Sequence, residues 1–363
     1  MKILLLSRYS RLGASSRVRS YYYLSYLEAQ GINITVAPLL GDDYLKNLYA
    51  GGQKRWLDIL SAYLRRLGCL LKSRRFDLLW IEKEIFPWLP AWGETLLDSL
   101  GIPYVVDYDD AVFHYYDLHP KGMVRALLGD KIDRVMRRAA LVIVGNDYLA
   151  DRAWRAGAQR VEYLPTVISL DRYRAKRRTN NAIFTIGWIG SPSTSSYLHL
   201  VRHALTEVCK DGNVRLVLVG SGQIELDGAP LVVRTWSEET EVADIQSFDV
   251  GIMPLPDELW ERGKCGYKLI QYMACSLPVV ASPIGVNKQI IDAGVNGFLA
   301  TTTEDWVYAL STLRDNRGLR ERMGKYGQKK VETQYCLQVT APRLLSLLDS
   351  VVHGYAKMEQ VSR

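Results

Sequence analysis

Between Phe248 and Ala300 the chain reads FDVGIMPLPDELWERGKCGYKLIQYMACSLPVVASPIGVNKQIIDAGVNGFLA, and the order of pieces in it leaves few folds open. Residues 250–255 and 278–281 are short apolar runs bounded by prolines, so each reads as a buried strand. A strand, a helix and a second strand in this order form one step of a doubly wound α/β sheet, whose ligands bind beyond the C-terminal ends of the strands. Here that place is the loop 256–266. The helix predicted over 267–275 starts behind Gly266 with Lys264 and Lys268 beside its N-terminus, which suits a phosphate-bearing ligand through backbone N–H groups and point charges.

The same alternation runs along the whole chain. Strands are predicted at 2–6, 32–37, 78–81, 104–107 and 141–144, then at 184–189, 214–219, 231–234, 250–253, 278–281 and 298–300, with longer helical stretches between. A chain of 363 residues exceeds what one core usually supports. The seam falls at DRYRAKRRTNN, 171–181, which is charged and nearly free of apolar residues. The expected organisation is a domain over 1–172, a linker over 173–181, a second domain over 182–340 and a terminal helical segment over 341–363. With 48% hydrophobic and 23% charged residues the composition is that of packed domains. The cysteines number five, are widely spaced and form no CxxC pair, which argues against a disulfide framework or zinc site and for a reducing compartment. MKILLLS at the start is too short an apolar run for a signal segment or a membrane span and reads as the first strand.

The stretch LIQYMACSLPVVASPIGVNKQIIDAGVNGFLA resembles the nucleotide-sugar half of the GT-B glycosyltransferases of family 4, where it reads roughly LEAMA, G-PVV-S--GG--E-I and G-NGFL. VEYLPTVISLDRY is similar to the segment with which that family leaves its first domain, with Thr166, Val167 and Ile168 in place of Asn-Gly-Val. The resemblance implies an α/β GT-B fold: two Rossmann-like, doubly wound parallel-sheet domains facing across a cleft, the first binding the acceptor and the second the nucleotide sugar. The terminal helix would cross back to the first domain. The implied activity is a hexosyltransferase (EC 2.4) that moves a sugar from a nucleotide-diphosphate donor to a hydroxyl of a saccharide or lipid-linked saccharide. It would do so with retention, in cell-surface polysaccharide or glycolipid synthesis, with no metal and no cofactor besides the donor substrate.

In the first domain, LSRYSRLGASSRVRS places Gly13, Ser16 and Arg17 at a strand-to-helix turn, where small residues let a ligand come close. By resemblance this is the family's Gly-rich loop over the cleft. Read from the residues alone it is a tight turn with a serine N-cap; it lacks a full GxGxxG. PYVVDYDDAVFHYY puts Asp107, Asp109 and Asp110 at a strand end. The family commonly has a His-Asp pair about six residues beyond the proline, and Asp109 stands in the His position. It is the expected catalytic-side contact to sugar or acceptor, and a solvated acidic turn is the alternative. Crowding predicts that at least one of the three carboxylates has a raised pKa. Glu82, Lys83 and Glu84 end another strand, as acceptor ligands or as surface ion pairs.

In the second domain, IGWIGSPSTSSYLHLV places Gly190 where backbone approaches a diphosphate, with Ser191, Ser193 and Thr194 as donors. The Arg and Lys that the family has in this loop are missing. Arg262, Lys264 and Lys268 are the replacement cations, and Lys264, in a glycine-bounded loop, is the one expected to act in catalysis. Of the family's E-x7-E pair, the second position is Gln271, and the first is Gly263 unless Glu261 or Asp257 supplies the carboxylate. Gly220 ends a strand at the same cleft. Trp236 either stacks on the base or packs in the core.

Residues 53–75, QKRWLDILSAYLRRLGCLLKSRR, put Trp56, Ile59, Leu60, Tyr63, Leu64, Leu67, Leu70 and Leu71 on an apolar helical face among basic residues. Such a helix either covers the sheet with its arginines in water or lies on anionic lipid; the net charge of +7 favours lipid. The expected location is therefore the cytoplasm, peripheral on the inner face of the cell membrane. No nucleic-acid motif accompanies the charge. Two rival functions are a GT-B nucleotide-sugar epimerase and a non-catalytic nucleotide-sugar- or lipid-binding subunit.

Overall fold

The computed structural model describes residues 1–49, 52, 56–173, 183–210, 212–226 and 228–361, with the side chains of 49 and 355–361 excepted. It divides into two units, Met1–Thr166 with Thr340–Arg363, and Val167–Val339. Of the linker expected at 173–181, only Tyr173 lies within the described residues.

The first unit holds β1 (Lys2–Leu6), β2 (Asn33–Val36), β3 (Leu78–Glu82), β4 (Tyr104–Tyr108), β5 (Leu141–Val144) and β6 (Val161–Tyr163). All are parallel, in the order β2-β1-β3-β4-β5-β6, with Ile3 beside Leu78 and Leu79 beside Tyr104. β3, β4 and β5 are buried from end to end, as central strands covered on both faces must be. The order reverses between β1 and β3, and ligands of open α/β sheets bind at such a switch point.

The second unit holds β7 (Phe184–Ile189), β8 (Val214–Val219), β9 (Leu231–Arg234), β10 (Val250–Met253), β11 (Val279–Ala281) and β12 (Gly297–Leu299), ordered β12-β11-β10-β7-β8-β9 and parallel throughout. Its switch point lies between β7 and β10. Val217 and Val219 enter one apolar layer with the helix Tyr267–Ala274, while Leu216 and Leu218 enter the opposite layer with the helices Arg202–Cys209 and Thr303–Asp315. Burying each such Val or Leu is worth about 1.5–3 kcal/mol, so the two-residue period of β8 holds both layers at once. The α/β, doubly wound parallel expectation is met. The strands lie within a residue or two of their expected places, except β6, which the sequence reading omits: VEY is half-buried at the sheet edge and carries no apolar run.

The segment 53–75 departs from its expected form. Residues 53–55 lie outside the described residues; a helix spans Trp56–Leu71 and a short turn Ser73–Arg75. The single apolar face expected is in fact two. Ala62 and Leu70 are buried with Ile59 and Tyr63 beside them, whereas Trp56, Leu60, Leu64, Leu67 and Leu71 stand exposed. Arg66 points inward, donating to the carbonyls of Ser7 and Ala37, and burial pulls its pKa down to about 10.

Candidate functional site

At the β1/β3 switch point the chain leaving β1 folds back across the rim of the first sheet. Ala14–Ser16 passes into a π-helical turn, Arg17–Tyr21, a form that recurs at functional sites. Its neighbourhood meets three strand ends. The Ser16 hydroxyl donates to Glu82 Oε2 at 2.6 Å, which also accepts the Arg8 amide at 2.8 Å. Lys83 Nζ donates to the Ser15 hydroxyl at 3.3 Å. Arg19 grips Asp107 through Nε at 2.8 Å and Nη2 at 3.0 Å. Lys83, held at φ +66°, pairs with Asp109 at 2.9 Å and reaches Asp110 at 3.8 Å. Glu84 pairs with Lys131 and accepts the Tyr116 hydroxyl at 2.9 Å.

Glu82, Lys83, Glu84 and Asp107 are all buried, so they are not the surface ion pairs that sequence allowed, and Asp109 is not part of a solvated turn. Burial raises the Glu82 carboxyl above its ordinary value of 4.5, against Lys83, Ser16 and the Arg8 amide. Its buried Oε1 has no hydrogen-bond partner among the described residues. Burial also raises Asp107 despite Arg19, and outweighs repulsion from Asp109 as the cause. For Asp109 burial works upward too, but Lys83 and the Ser15 hydroxyl bring the carboxyl below its usual value. Asp109 is therefore an ionised hydrogen-bond acceptor rather than a proton donor. Arg17, also buried, turns to the carbonyls of Arg11 and Leu12 at 3.4 Å and so braces its own loop beside Gly13.

In the second unit the ends of β7, β8 and β9 converge. A Cβ on Gly190 would collide with the Trp188 ring and come within 3.0 Å of Lys268 Cε, so glycine is what keeps this backbone approachable. A Cβ on Gly220, at φ +75°, would collide with the Gly190 carbonyl and lie 3.0 Å from Trp236 Cβ. The turn after Gly190 holds Ser191 and Ser193, whose hydroxyls are 2.9 Å apart, and Thr194, which donates back to the Ser191 carbonyl at 3.2 Å. Tyr272 seats the helix Tyr267–Ala274 by accepting the Ile189 amide at 3.0 Å. Lys268, one turn earlier, thereby reaches the end of β7, its Nζ 5.4 Å from the Trp188 ring centre. Lys264 lies 5.9 Å from the Trp260 ring centre.

The structure thus brings Gly190, Gly220, Trp236 and Lys268 together, with Lys264 in the loop after β10. Arg262 and Asp257 hold each other at 2.7 Å on an exposed stretch. Gln271 is buried and its amide donates to the Tyr173 hydroxyl at 2.7 Å, which donates to Glu241, which accepts Trp236 Nε1 at 2.9 Å. This relay fixes the half-buried Trp236 ring, and no local signal announces it, because its members lie far apart in sequence. Glu261 is buried: its Oε1 accepts the Tyr197 hydroxyl, and Oε2 meets no hydrogen-bond partner among the described residues. Of the two acids weighed for the missing carboxylate, it is the one placed inside the fold.

A family model described as a glycosyl transferase 4-like domain matches residues 5–166, and one described as glycosyl transferases group 1 matches residues 181–316. Spore coat protein SA of Bacillus subtilis (strain 168) is 31% identical over 326 residues, 79% of this chain and 82% of that protein. Sucrose-phosphate synthase from Thermosynechococcus elongatus has the same fold at a TM-score of 0.72 and 12% identity, over 98% of this chain and 100% of that one. HepE from Anabaena in complex with UDP-glucose does so at 0.67 and 14%, over 96% and 100%.

Proposed function

The chain belongs to the group 1, family 4-like glycosyltransferases of GT-B fold, and from that premise we propose that it moves a sugar from a nucleotide-diphosphate donor to a hydroxyl of a saccharide or lipid-linked saccharide, with retention. The product belongs to cell-surface polysaccharide or glycolipid synthesis, made by an enzyme peripheral on the inner face of the cell membrane. The observation that carries the donor assignment is the rim at β7 and β10, where the Gly190 backbone and Lys268 meet at the start of the helix Tyr267–Ala274, with Lys264 in the loop that precedes it. That is an anion cradle built of amides and point charges. HepE, a structural neighbour, is complexed with UDP-glucose, which supports a nucleotide sugar there.

The acceptor oxygen bonds to the anomeric carbon as the bond from that carbon to the phosphate oxygen breaks. The acceptor proton passes to the leaving phosphate, so no strong protein base is required. Lys264, Lys268 and helix amides meet the departing charge in place of a metal. Asp109, ionised, and Glu82 hold acceptor hydroxyls; Glu261 Oε2 takes a hydroxyl of the donor sugar. The test is a thermal-shift screen of nucleotide sugars followed by product analysis, since a ligand of the native state alone raises the melting temperature. One nucleotide sugar should shift the melt, and Lys264→Ala should lower turnover by about 10²–10³-fold with the fold intact. A product formed from donor alone would instead indicate an epimerase, and turnover resistant to Lys264→Ala would remove that residue from the site.

A further inference from the structure

The helix Trp56–Leu71 turns Leu57, Leu60, Leu64, Leu67 and Leu71 outward, 45–81% exposed, at alternating steps of three and four residues that keep them on one stripe. The helix lies against residues 86–93: Tyr63 donates to the Pro87 carbonyl and stacks 5.6 Å from Phe86, and Leu70 lies against Gly93. That segment exposes Trp88 and opens the helix Trp92–Ser99, on which Trp92 and Leu96 are exposed. Trp88 in turn meets the His119 ring at 5.8 Å, beside the helix Gly122–Leu128 with Met123 and Leu127 exposed. These segments, each in contact with the next, together expose more large apolar side chains than isolated surface leucines account for.

The exposed charge here is mainly basic. Arg65, Lys72, Arg74, Arg75, Lys121 and Arg125 are exposed on or next to these segments, against Asp58 on the helix Trp56–Leu71 and Asp98 on the helix Trp92–Ser99. Leucines that reach acyl chains, indoles at headgroup depth and basic side chains on phosphates match an anionic bilayer better than a protein partner. The same segment leads to the polar rim: the Trp88 amide donates to the Tyr116 hydroxyl at 3.0 Å, and Tyr116 donates to Glu84, next to Lys83.

We propose that this surface seats the enzyme on an anionic bilayer, and that the rim of Glu82, Lys83 and Asp109 takes the sugar headgroup of an acceptor whose lipid tail stays in that bilayer; the second half rests on the glycosyl transfer proposed above. The test combines flotation with two acceptors. Wild-type protein should float with phosphatidylglycerol–phosphatidylcholine vesicles about tenfold better than with phosphatidylcholine alone. Leu60→Ser/Leu64→Ser/Leu67→Ser leaves the inward Ile59, Tyr63 and Leu70 in place, and its melting curve and nucleotide-sugar shift should match wild type. This variant should not float, and should lose about tenfold in transfer to a vesicle-borne lipid-linked saccharide while keeping transfer to the same saccharide without lipid. Equal flotation with both vesicles, or a variant that floats like wild type, overturns the proposal. So does a wild type that stays unbound and sediments as a dimer that the variant dissociates, which would assign the stripe to a second copy of the chain. Should no nucleotide sugar shift the wild-type melt, the glycosyl-transfer reading fails while flotation still decides the bilayer.

Discussion

At the switch point of the first sheet, between β1 and β3, the rim is filled with charge already matched to charge: Arg19 with Asp107, Lys83 with Asp109 and Asp110, Lys131 with Glu84. At the corresponding place in the second sheet, between β7 and β10, the rim is glycine, serine and threonine with half-buried Lys264 and Lys268. Similar winding therefore carries two chemistries. A buried charge is tolerable only with its partner in place, so the first rim is fixed before any ligand arrives and presents oriented acceptors. The second rim keeps its lysines at half-buried positions, which suits the donor anion proposed above.

The contrast breaks if the two kinds of lysine behave alike. Lys83→Ala strands Asp109 in the buried rim, with the half-buried Asp110 beside it, and should cost about 3–5 kcal/mol in urea unfolding at pH 7. Adding Asp109→Asn should restore part of that, and strictly additive losses would show that the pair is not coupled. Lys268→Ala should leave the unfolding midpoint where it is and lower kcat/KM by about 10²-fold; a stability loss rivalling that of Lys83→Ala would erase the distinction. The smallest effect sharpens it. Glu82 is raised above 4.5 in the folded state, so the native protein holds a proton that the unfolded chain releases. Its contribution is complete below pH 4.5 and is lost as pH rises through the folded value, the opposite sense to Asp109, whose contribution is lost as pH falls below 3.8. Glu82→Gln keeps an oxygen for Ser16 and Arg8 and should flatten the decline in melting temperature as pH rises above 4.5. An unchanged decline would place the titrating group elsewhere.

Much of the second rim was legible early, because its signals are local. Gly266 opens a helix beside Lys264 and Lys268, and Gly190 follows a strand, all within short stretches whose turn chemistry can be read directly. The first rim was legible only as acids at strand ends. That Glu82 is buried, and that Arg19 meets Asp107, depends on strands brought side by side from distant parts of the chain.

Sequence by itself determined the period of every strand but β6, the alternation of strands and helices in both units and the family wording between Leu269 and Ala300, since these follow from patterns a few residues long. Tertiary structure decided which charges are buried and with whom, that Glu261 rather than Asp257 lies inside, and which leucines of Trp56–Leu71 face water. The reason is that burial and pairing belong to the order of strands in a sheet. A helix with apolar residues on two faces does not say which of them the core will take until its neighbours are in place.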